Sequence, residues 1–468
     1  MMSMSSKNQR AAAGFWGKWR SCSFEVALAI SLWLVTSIGA TQPRLARPGE
    51  LPAIDASIQA AIIDSIGAAM GKAYVFADIA ARMDSLLRAK LTAGEYRELT
   101  DPADFMRKVS EDMSGVYNDK HLQAGAFAPF DLTAQGQRAD DPKLSEEFKE
   151  NLRKANFGFR KMEILPGNIG YLELRQFAPT PIAGETAVGV MNFLSNADAV
   201  IIDLRQNGGG SASMIQLLTG YFFEEPQHLV SWYRRETDET EQSYSQAYVP
   251  GKRMYEMPLY ILTSNFTGSA AEEFTYDLKN LKRATIIGET TGGAAHTVSD
   301  VFFDFRTFVV GQRVPSGRAI SPITKTNWEG IGVEPDISVP ADKALPTAKL
   351  EAIKKLSEKV EDEGAKATLA WAQASLENEI NPYNLPDKDL KQYAGNFGPR
   401  RIFMEGGALF YQREGRPKYR MVAMAKDLFG LEGLDYFRLQ FSRNEQGSID
   451  GLIGLYDDGR QDHNPRTN

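Results

Sequence analysis

The chain has 468 residues, 43% of them apolar and 24% charged, the composition of a globular protein with more than one hydrophobic core. Its net charge of −7 argues against a nucleic-acid partner, because neutralising phosphates needs a basic surface and no basic stripe is present. The only cysteine is Cys22, so a chain cut beyond it has no disulfide, thiol nucleophile or thiolate metal site.

Residues 1–40 carry Lys7, Arg10, Lys18 and Arg20 against Glu25, then an apolar stretch, Val26 to Ile38, and small residues at Gly39 and Ala40. The stretch has the length of a signal h-region and is short for a spanning helix. It predicts a signal peptide over 1–40, with a retained anchor as the second reading and residues 22–40 as the membrane tether in that case. Export to the periplasm or the extracellular space is expected either way. Cys22 lacks a preceding lipobox, which argues against a lipid anchor there.

Residues 41–54 read as a proline-rich linker, and 55–118 as a helical cap. Ile58, Ile62 and Ile66 fall four apart, Ile79, Met83, Leu86 and Leu87 keep one face, and Asp101-Pro102 opens a third helix with Phe105, Val109 and Met113 inward. Residues 119–345 form the next unit. From about Asn156 strands and helices alternate: strands at 171–174, 199–204, 259–263 and 285–287, helices at 186–194, 214–222 and 270–281, and further strands at 301–310 and 313–320. The run Ala199–Leu204 is continuously apolar, as a strand covered on both faces must be. The expected fold is therefore α/β with a layered core. Residues 346–384 are a helical connector, rich in Ala, Glu, Lys and Leu, with 346–378 helical. From 385 to 468, short strands between glycine turns predict a small antiparallel barrel or sandwich, its closing strand near Gly451–Tyr456.

Two segments and the placement of the histidines attract chemistry. Asp203–Gly210 (DLRQNGGG) places three glycines after a buried strand, where backbone amides can approach a ligand; plain turns use the same triplet. Thr263–Phe274 (TSNFTGSAAEEF) ends a strand and puts Ser269 at the start of a helix, where a serine is commonly an N-cap. The other reading is a nucleophile whose oxyanion is held by the amide of Ala270, assisted by the helix dipole, and by an amide of the glycine triplet. A base would come from four histidines. His463 lies in a polar tail and His228 in a loop, leaving His121 and His296, between which spacing does not choose. No HExxH or other ligand spacing occurs, so no metal and no cofactor is expected.

Taken together, DKHL at 119–122, IIDLRQNGGG at 201–210, TSNFTGSAAEEF at 263–274, RATIIGETTGG at 283–293 and NWEGIGVEPDI at 327–337 resemble peptidase family S41 over about residues 55–345. This family contains the tail-specific (C-terminal processing) proteases, the tricorn core and interphotoreceptor retinoid-binding protein. The resemblance implies a crotonase/ClpP-like α/β core with an N-terminal helical cap, followed here by the small β-domain. It also implies Ser269 as the nucleophile of a serine peptidase acting on peptide or unfolded-protein substrates. The lysine of the tail-specific Ser–Lys dyad is replaced by Ala294. The tricorn-like branch uses a histidine and a glutamate, and His121 and Glu329 match those positions, although Lys120 stands where that branch has serine. The site implied is Ser269, His121 and Glu329, with His296 as the alternative base. Gly209 and Ala270 would hold the oxyanion, and Gly208 and Gly210 would line the substrate. No PDZ-like segment is present. The competing expectation is a non-catalytic module of the retinoid-binding type, with an enclosed apolar pocket.

Overall fold

The computed structural model describes residues 44–119, 121–130, 132 and 146–467. The signal or anchor over 1–40, with Cys22, lies outside the described residues, as does Lys120. Among the described residues no helix is long and apolar enough to cross a membrane.

Helices α1 (Ala56–Ala73), α2 (Ala77–Ala93) and α3 (Pro102–Val116) form the cap. The Asp55 carboxylate accepts from the Ser57 and Ile58 amides, and Asp101 accepts from Ala103 and Asp104 with Pro102 in the first turn. Each cap satisfies amides that the helix cannot, worth about 1 kcal/mol. Ile62, Ile66, Met83, Leu87, Phe105, Val109 and Met113 are buried and pack with Phe308, Val310 and Val314 of a sheet beneath them.

The core contains β1 (Gln123–Phe127), α4 (Glu146–Lys154), β2 (Phe159–Leu165), β3 (Ile169–Leu174), α5 (Thr180–Leu194), β4 (Ala199–Asp203) and α6 (Ala212–Gly220). It continues with β5 (His228–Arg234), β6 (Glu239–Tyr244), β7 (Leu259–Thr263), α7 (Ala270–Asn280), β8 (Thr285–Gly288), β9 (His296–Asp304), β10 (Val309–Ile320) and β11 (Ile337–Ser338). One sheet has the order β11-β8-β7-β4-β3-β2, parallel throughout except for the antiparallel edge strand β2. Along β4, Val200 and Ile202 enter the core shared with α5, α6 and α7. Ala199 and Ile201 face the opposite core with α8 (Ala341–Ser357) and α9 (Glu363–Ile380). A strand with helices on both faces has no polar side, which is why its sequence is apolar without alternation. Because β4, β7 and β8 run parallel, the loops at 204–211, 264–269 and 289–295 leave the same edge of the sheet.

The second sheet has the order β1-β10-β5-β6, with β9 also paired to β10. Both candidate bases sit at its margin: His121 two residues before β1, and His296 as the first residue of β9.

The structure corrects several sequence expectations. A strand at 301–310 crosses a reversal, since β9 ends at Asp304 and β10 starts at Val309, with Arg306 at φ +67° and the Phe305 amide donating to Phe308. The helix over 346–378 is two helices, because the Asp362 carboxylate caps a new one at Ala365. His228 is not in a loop but opens β5, stacked on Tyr244 at 4.9 Å. His463 is not in a tail but in the last strand of the β-domain.

That domain is a closed barrel of β12 (Gly395–Phe397), β13 (Arg400–Glu405), β14 (Ala408–Arg413), β15 (Lys418–Ala425), β16 (Leu428–Leu431), β17 (Leu434–Arg443), β18 (Ile449–Tyr456) and β19 (Gln461–Thr467). The closing strand is β19, which pairs with β18 on one side and β12 on the other, rather than the segment near Gly451–Tyr456. Closure removes every sheet edge.

Candidate active site

Ser269 ends the loop after β7 at φ +52°, ψ −123°, a backbone position unusual for a residue with a side chain, and begins α7. Its strain is held in place from two sides. The first is the glycine loop: Asn207 donates through Nδ2 to the Leu174 carbonyl (2.9 Å), while its own carbonyl accepts from the Gly268 amide (3.0 Å). Gly209 lies at φ +114°, and a Cβ added there would come within 2.8 Å of the Ser269 Cβ. Only glycine can bring this backbone so close to the serine.

The second is Glu272, fully buried one turn into α7. Its Oε2 accepts from the Ser269 amide (2.9 Å) and the Ala294 amide (2.8 Å), and its Oε1 from the Gly293 amide (2.6 Å) and Thr291 Oγ1 (2.6 Å). Burial pushes this carboxyl upward, opposed by the four donors, which favour the anion. Glu272 thereby fastens the serine backbone to residues 291–294.

The next two amides of that segment belong to a second buried glutamate. Glu329 Oε2 accepts from the Ala295 amide (2.5 Å) and the His296 amide (3.1 Å), and stands 3.8 Å from His121 Nδ1 and 3.7 Å from His296 Nδ1. Burial works to raise its pKa, but the adjacent His121 ring, the charges of His296 and His121 and the Ala295 amide carry it down to about 2. It is therefore an anion at neutral pH. Asp119 completes the group: Oδ2 accepts from Tyr74 Oη (3.1 Å) and pairs with His296 Nδ1 (2.7 Å), and Oδ1 accepts from the His121 amide (3.0 Å). Burial, then the adjacent Asp119 charge, hold the Tyr74 phenol far above the ordinary tyrosine range. Phe76 packs edge-on against the His296 ring at 5.6 Å.

His121, Glu329, His296 and Asp119 thus form one buried cluster, and Ser269 is joined to it through Glu272 and residues 293–296. Ala294 donates its amide to Glu272 and accepts at its carbonyl from Trp328 Nε1 (3.1 Å), so the family's lysine position serves here as backbone scaffolding. The triplet glycines are placed differently from one another. The Gly209 amide donates to Asn207 Oδ1 (2.8 Å), so this expected oxyanion donor is already engaged. Gly210 bridges to Phe177, which makes it a seam of the loop, and Gly208 faces the ring of Phe266. Asp119, Tyr74, Asn207 and Glu272 were not among the residues expected from the sequence. Glu272 had a legible signal, the S-x-x-E spacing of a capping box from Ser269. Asp119 stood inside the DKHL block beside His121.

A cavity of about 490 Å³ lies elsewhere, by the first residues of β7 and β8, and is lined by Lys279, Lys282, Arg283, Lys355, Lys359 and Asp336 among others. Its charged wall differs from the enclosed apolar pocket expected of a retinoid-binding module.

Residues 168–339 match the model of peptidase family S41, and residues 49–157 match the N-terminal domain of peptidase S41 in eukaryotic IRBP. The two matches together span more than half of the sequence. The chain belongs to peptidase family S41. It is accordingly a serine peptidase, a hydrolase. Among solved structures, this S41 chain is similar to the photosystem II D1 C-terminal processing protease, at 15% identity over 61% of this chain and 94% of that one, with a TM-score of 0.39. It is similar to mature CPAF at 13% identity over 71% and 99% of the two chains, TM-score 0.44. It also resembles a lipoprotein from Streptococcus agalactiae at 16% identity over 66% and 100%, TM-score 0.38.

Proposed function

We propose that this S41 peptidase is exported and cleaves peptide bonds through an acyl-enzyme on Ser269, with His121 as the base and Glu329 as its partner. The observation that carries the reading is the Glu329 carboxylate, buried and anionic, 3.8 Å from His121 Nδ1 and bound to the same segment that fixes Ser269. An anion against one ring nitrogen favours the tautomer with its proton there, which leaves the other nitrogen basic.

In the first step His121 takes the Ser269 Oγ proton and Oγ bonds to the scissile carbonyl carbon, moving the C=O electron pair onto oxygen. The oxyanion is held by the Ala270 amide at the start of α7, where the helix dipole also favours negative charge. Gly209 adds a second donor once its amide exchanges Asn207 Oδ1 for the substrate oxygen. Collapse expels the amine, which takes its proton from His121. A water then gives a proton to His121 and attacks the ester carbonyl; collapse breaks the C–Oγ bond, releases the carboxylic product and returns the proton from His121 to Ser269 Oγ. Glu329 remains ionised and stabilises the imidazolium formed in both half-reactions. His296 is tied to Asp119 through Nδ1, which suits it to positioning; as the alternative base it would have to work through Nε2.

The substrate is a peptide or an unfolded protein chain. Export follows from the basic and apolar N-terminal segment, and rests on the sequence alone.

The test is covalent labelling of the purified protein by a fluorophosphonate probe. We expect wild type to label, Ser269→Ala not to label at all, and His121→Ala to slow labelling by about 10²–10⁴-fold, the usual worth of a general base. Labelling retained in Ser269→Ala would remove this serine as nucleophile. Full-rate labelling in His121→Ala, with loss in His296→Ala, would transfer the base to His296.

A further inference from the structure

The sequence offers no metal-ligand spacing, yet the fold brings Glu329 to the segment that carries Asp119 and His121. One ligand atom each of Asp119, His121 and Glu329 lies within 4.8 Å of the others. A second, independent observation concerns His121: the residue is 5% exposed, and among the described residues its buried Nδ1 has no hydrogen-bond partner, facing Glu329 Oε2 at 3.8 Å. At 3.8 Å from Glu329 Oε2 that nitrogen is beyond hydrogen-bond distance.

We propose that Asp119, His121 Nδ1 and Glu329 form a binding site for a divalent cation of the Zn²⁺ type, and that its occupation switches the peptidase off. One imidazole nitrogen and two carboxylate oxygens are a Zn²⁺ ligand set, needing ligand distances of about 2.0–2.2 Å and leaving a fourth position open. The three atoms lie within 4.8 Å of one another and must draw together for one ion to reach them all. Hard cations such as Mg²⁺ are disfavoured, because they want oxygen ligands and keep their waters. The surroundings are those of a supported metal site. Asp119 is held by Tyr74 Oη, His296 Nδ1 and the His121 amide, and Glu329 by the amides of Ala295 and His296.

The consequence for the reaction follows from counting electron pairs. Catalysis needs a proton on His121 Nδ1 and a free pair on Nε2 to accept the serine proton. A metal bonded to Nδ1 moves the ring proton to Nε2, so no basic pair faces Ser269, and Glu329 is drawn from the imidazole to the metal. This consequence rests on the reading of His121 as base; the binding site itself does not.

The experiment separates the two. Untagged Ser269→Ala protein, which cannot turn over, is titrated with Zn²⁺ in a calorimeter, and its zinc X-ray absorption is recorded. We expect one equivalent bound, with nitrogen and oxygen neighbours at about 2.0–2.2 Å. Binding should weaken by at least ~10–100-fold in Asp119→Asn, Glu329→Gln and His121→Ala made on that background. The two near-isosteric amides guard against misfolding of the alanine variant, with circular dichroism as the control. No binding, or binding unchanged in all three, overturns the site. In parallel, fluorophosphonate labelling of wild type is measured with Zn²⁺ and after a chelator. Loss and recovery support the switch. Undiminished labelling of zinc-loaded protein overturns the Nδ1 assignment. If wild type never labels while Ser269→Ala binds zinc as described, the catalytic reading fails and the cation site stands.

Discussion

At the scale of single residues, the two glutamates that accept consecutive amides, Glu272 from Ala294 and Glu329 from Ala295, decide how the site is built. Backbone and hydroxyl donors offset the burial of Glu272, and backbone amides together with the two histidines offset that of Glu329. Glu329 carries a pH prediction. Its ordinary pKa of 4.5 falls to about 2 on folding, so the native state binds fewer protons than the unfolded chain between those values. Its stabilising effect is complete above pH 4.5 and is lost as pH falls through about 2. We therefore expect Glu329→Gln to be less stable than wild type at pH 7, by on the order of a few kcal/mol, with the difference shrinking steadily from pH 4.5 toward pH 2. Urea unfolding of both proteins across that range checks it, and a pH-independent difference would refute it.

At the scale of elements, α7 joins nucleophile chemistry to an unusual buried face. Glu273 and Asp277, four residues apart, are both buried, and among the described residues Glu273 Oε1 and Asp277 Oδ2 have no hydrogen-bond partner. Burial pushes the Glu273 carboxyl up to about 8, and burial with the Glu273 charge raises Asp277 well above its ordinary range. The sign is opposite to that of Glu329. The folded state holds protons that the unfolded chain releases above pH 4.5, so wild type loses stability as pH rises from 4.5 to about 8. Glu273→Gln removes one of these groups at nearly constant volume. We expect the variant to lose less stability over that interval, gaining on wild type by a few kcal/mol at pH 8 relative to pH 5. Thermal melts at the two pH values are the measurement. Equal slopes would mean that Glu273 is ionised throughout.

At the scale of the whole molecule, the barrel is attached to the catalytic core through α9. Trp371 Nε1 donates to the Asp435 carbonyl (2.7 Å), the Arg438 guanidinium lies 3.8 Å over the Trp371 ring, and Arg438 also donates to Ser375 Oγ and the Trp371 carbonyl. Such a cation–π contact contributes about 0.5–2 kcal/mol when partly desolvated. Burial lowers the Arg438 pKa to about 10, so the guanidinium stays charged at neutral pH. Trp371→Ala should loosen the barrel from α9 while leaving Ser269 labelling as it is. Limited proteolysis should then cut faster between residues 381 and 394, where the chain leaves α9 for the barrel. An unchanged cleavage rate would show that other contacts hold the domain.

Local properties of the sequence were enough for much of this architecture. The period of Ile58, Ile62 and Ile66, the Asp101-Pro102 start, the all-apolar β4 and the glycine-punctuated strands after residue 385 each express a preference that acts within a few residues. Hence the cap helices, the α/β core and the antiparallel barrel were legible. The hairpin β5–β6 was not, because an exposed strand such as Glu239–Tyr244 has no apolar face to betray it. Nor was the break at Asp362, where one carboxylate caps a helix inside a run of strong helix formers. Of the site, residue types and order could be read, since the blocks around Ser269, His121 and Glu329 are each contiguous. Which groups meet across long stretches of the chain could not. That His296 pairs with Asp119 and that Glu272 and Glu329 share the segment 291–296 are settled by the two sheets bringing distant loops together. Hydrogen bonds between such loops depend on distance and angle, and only the folded chain has either.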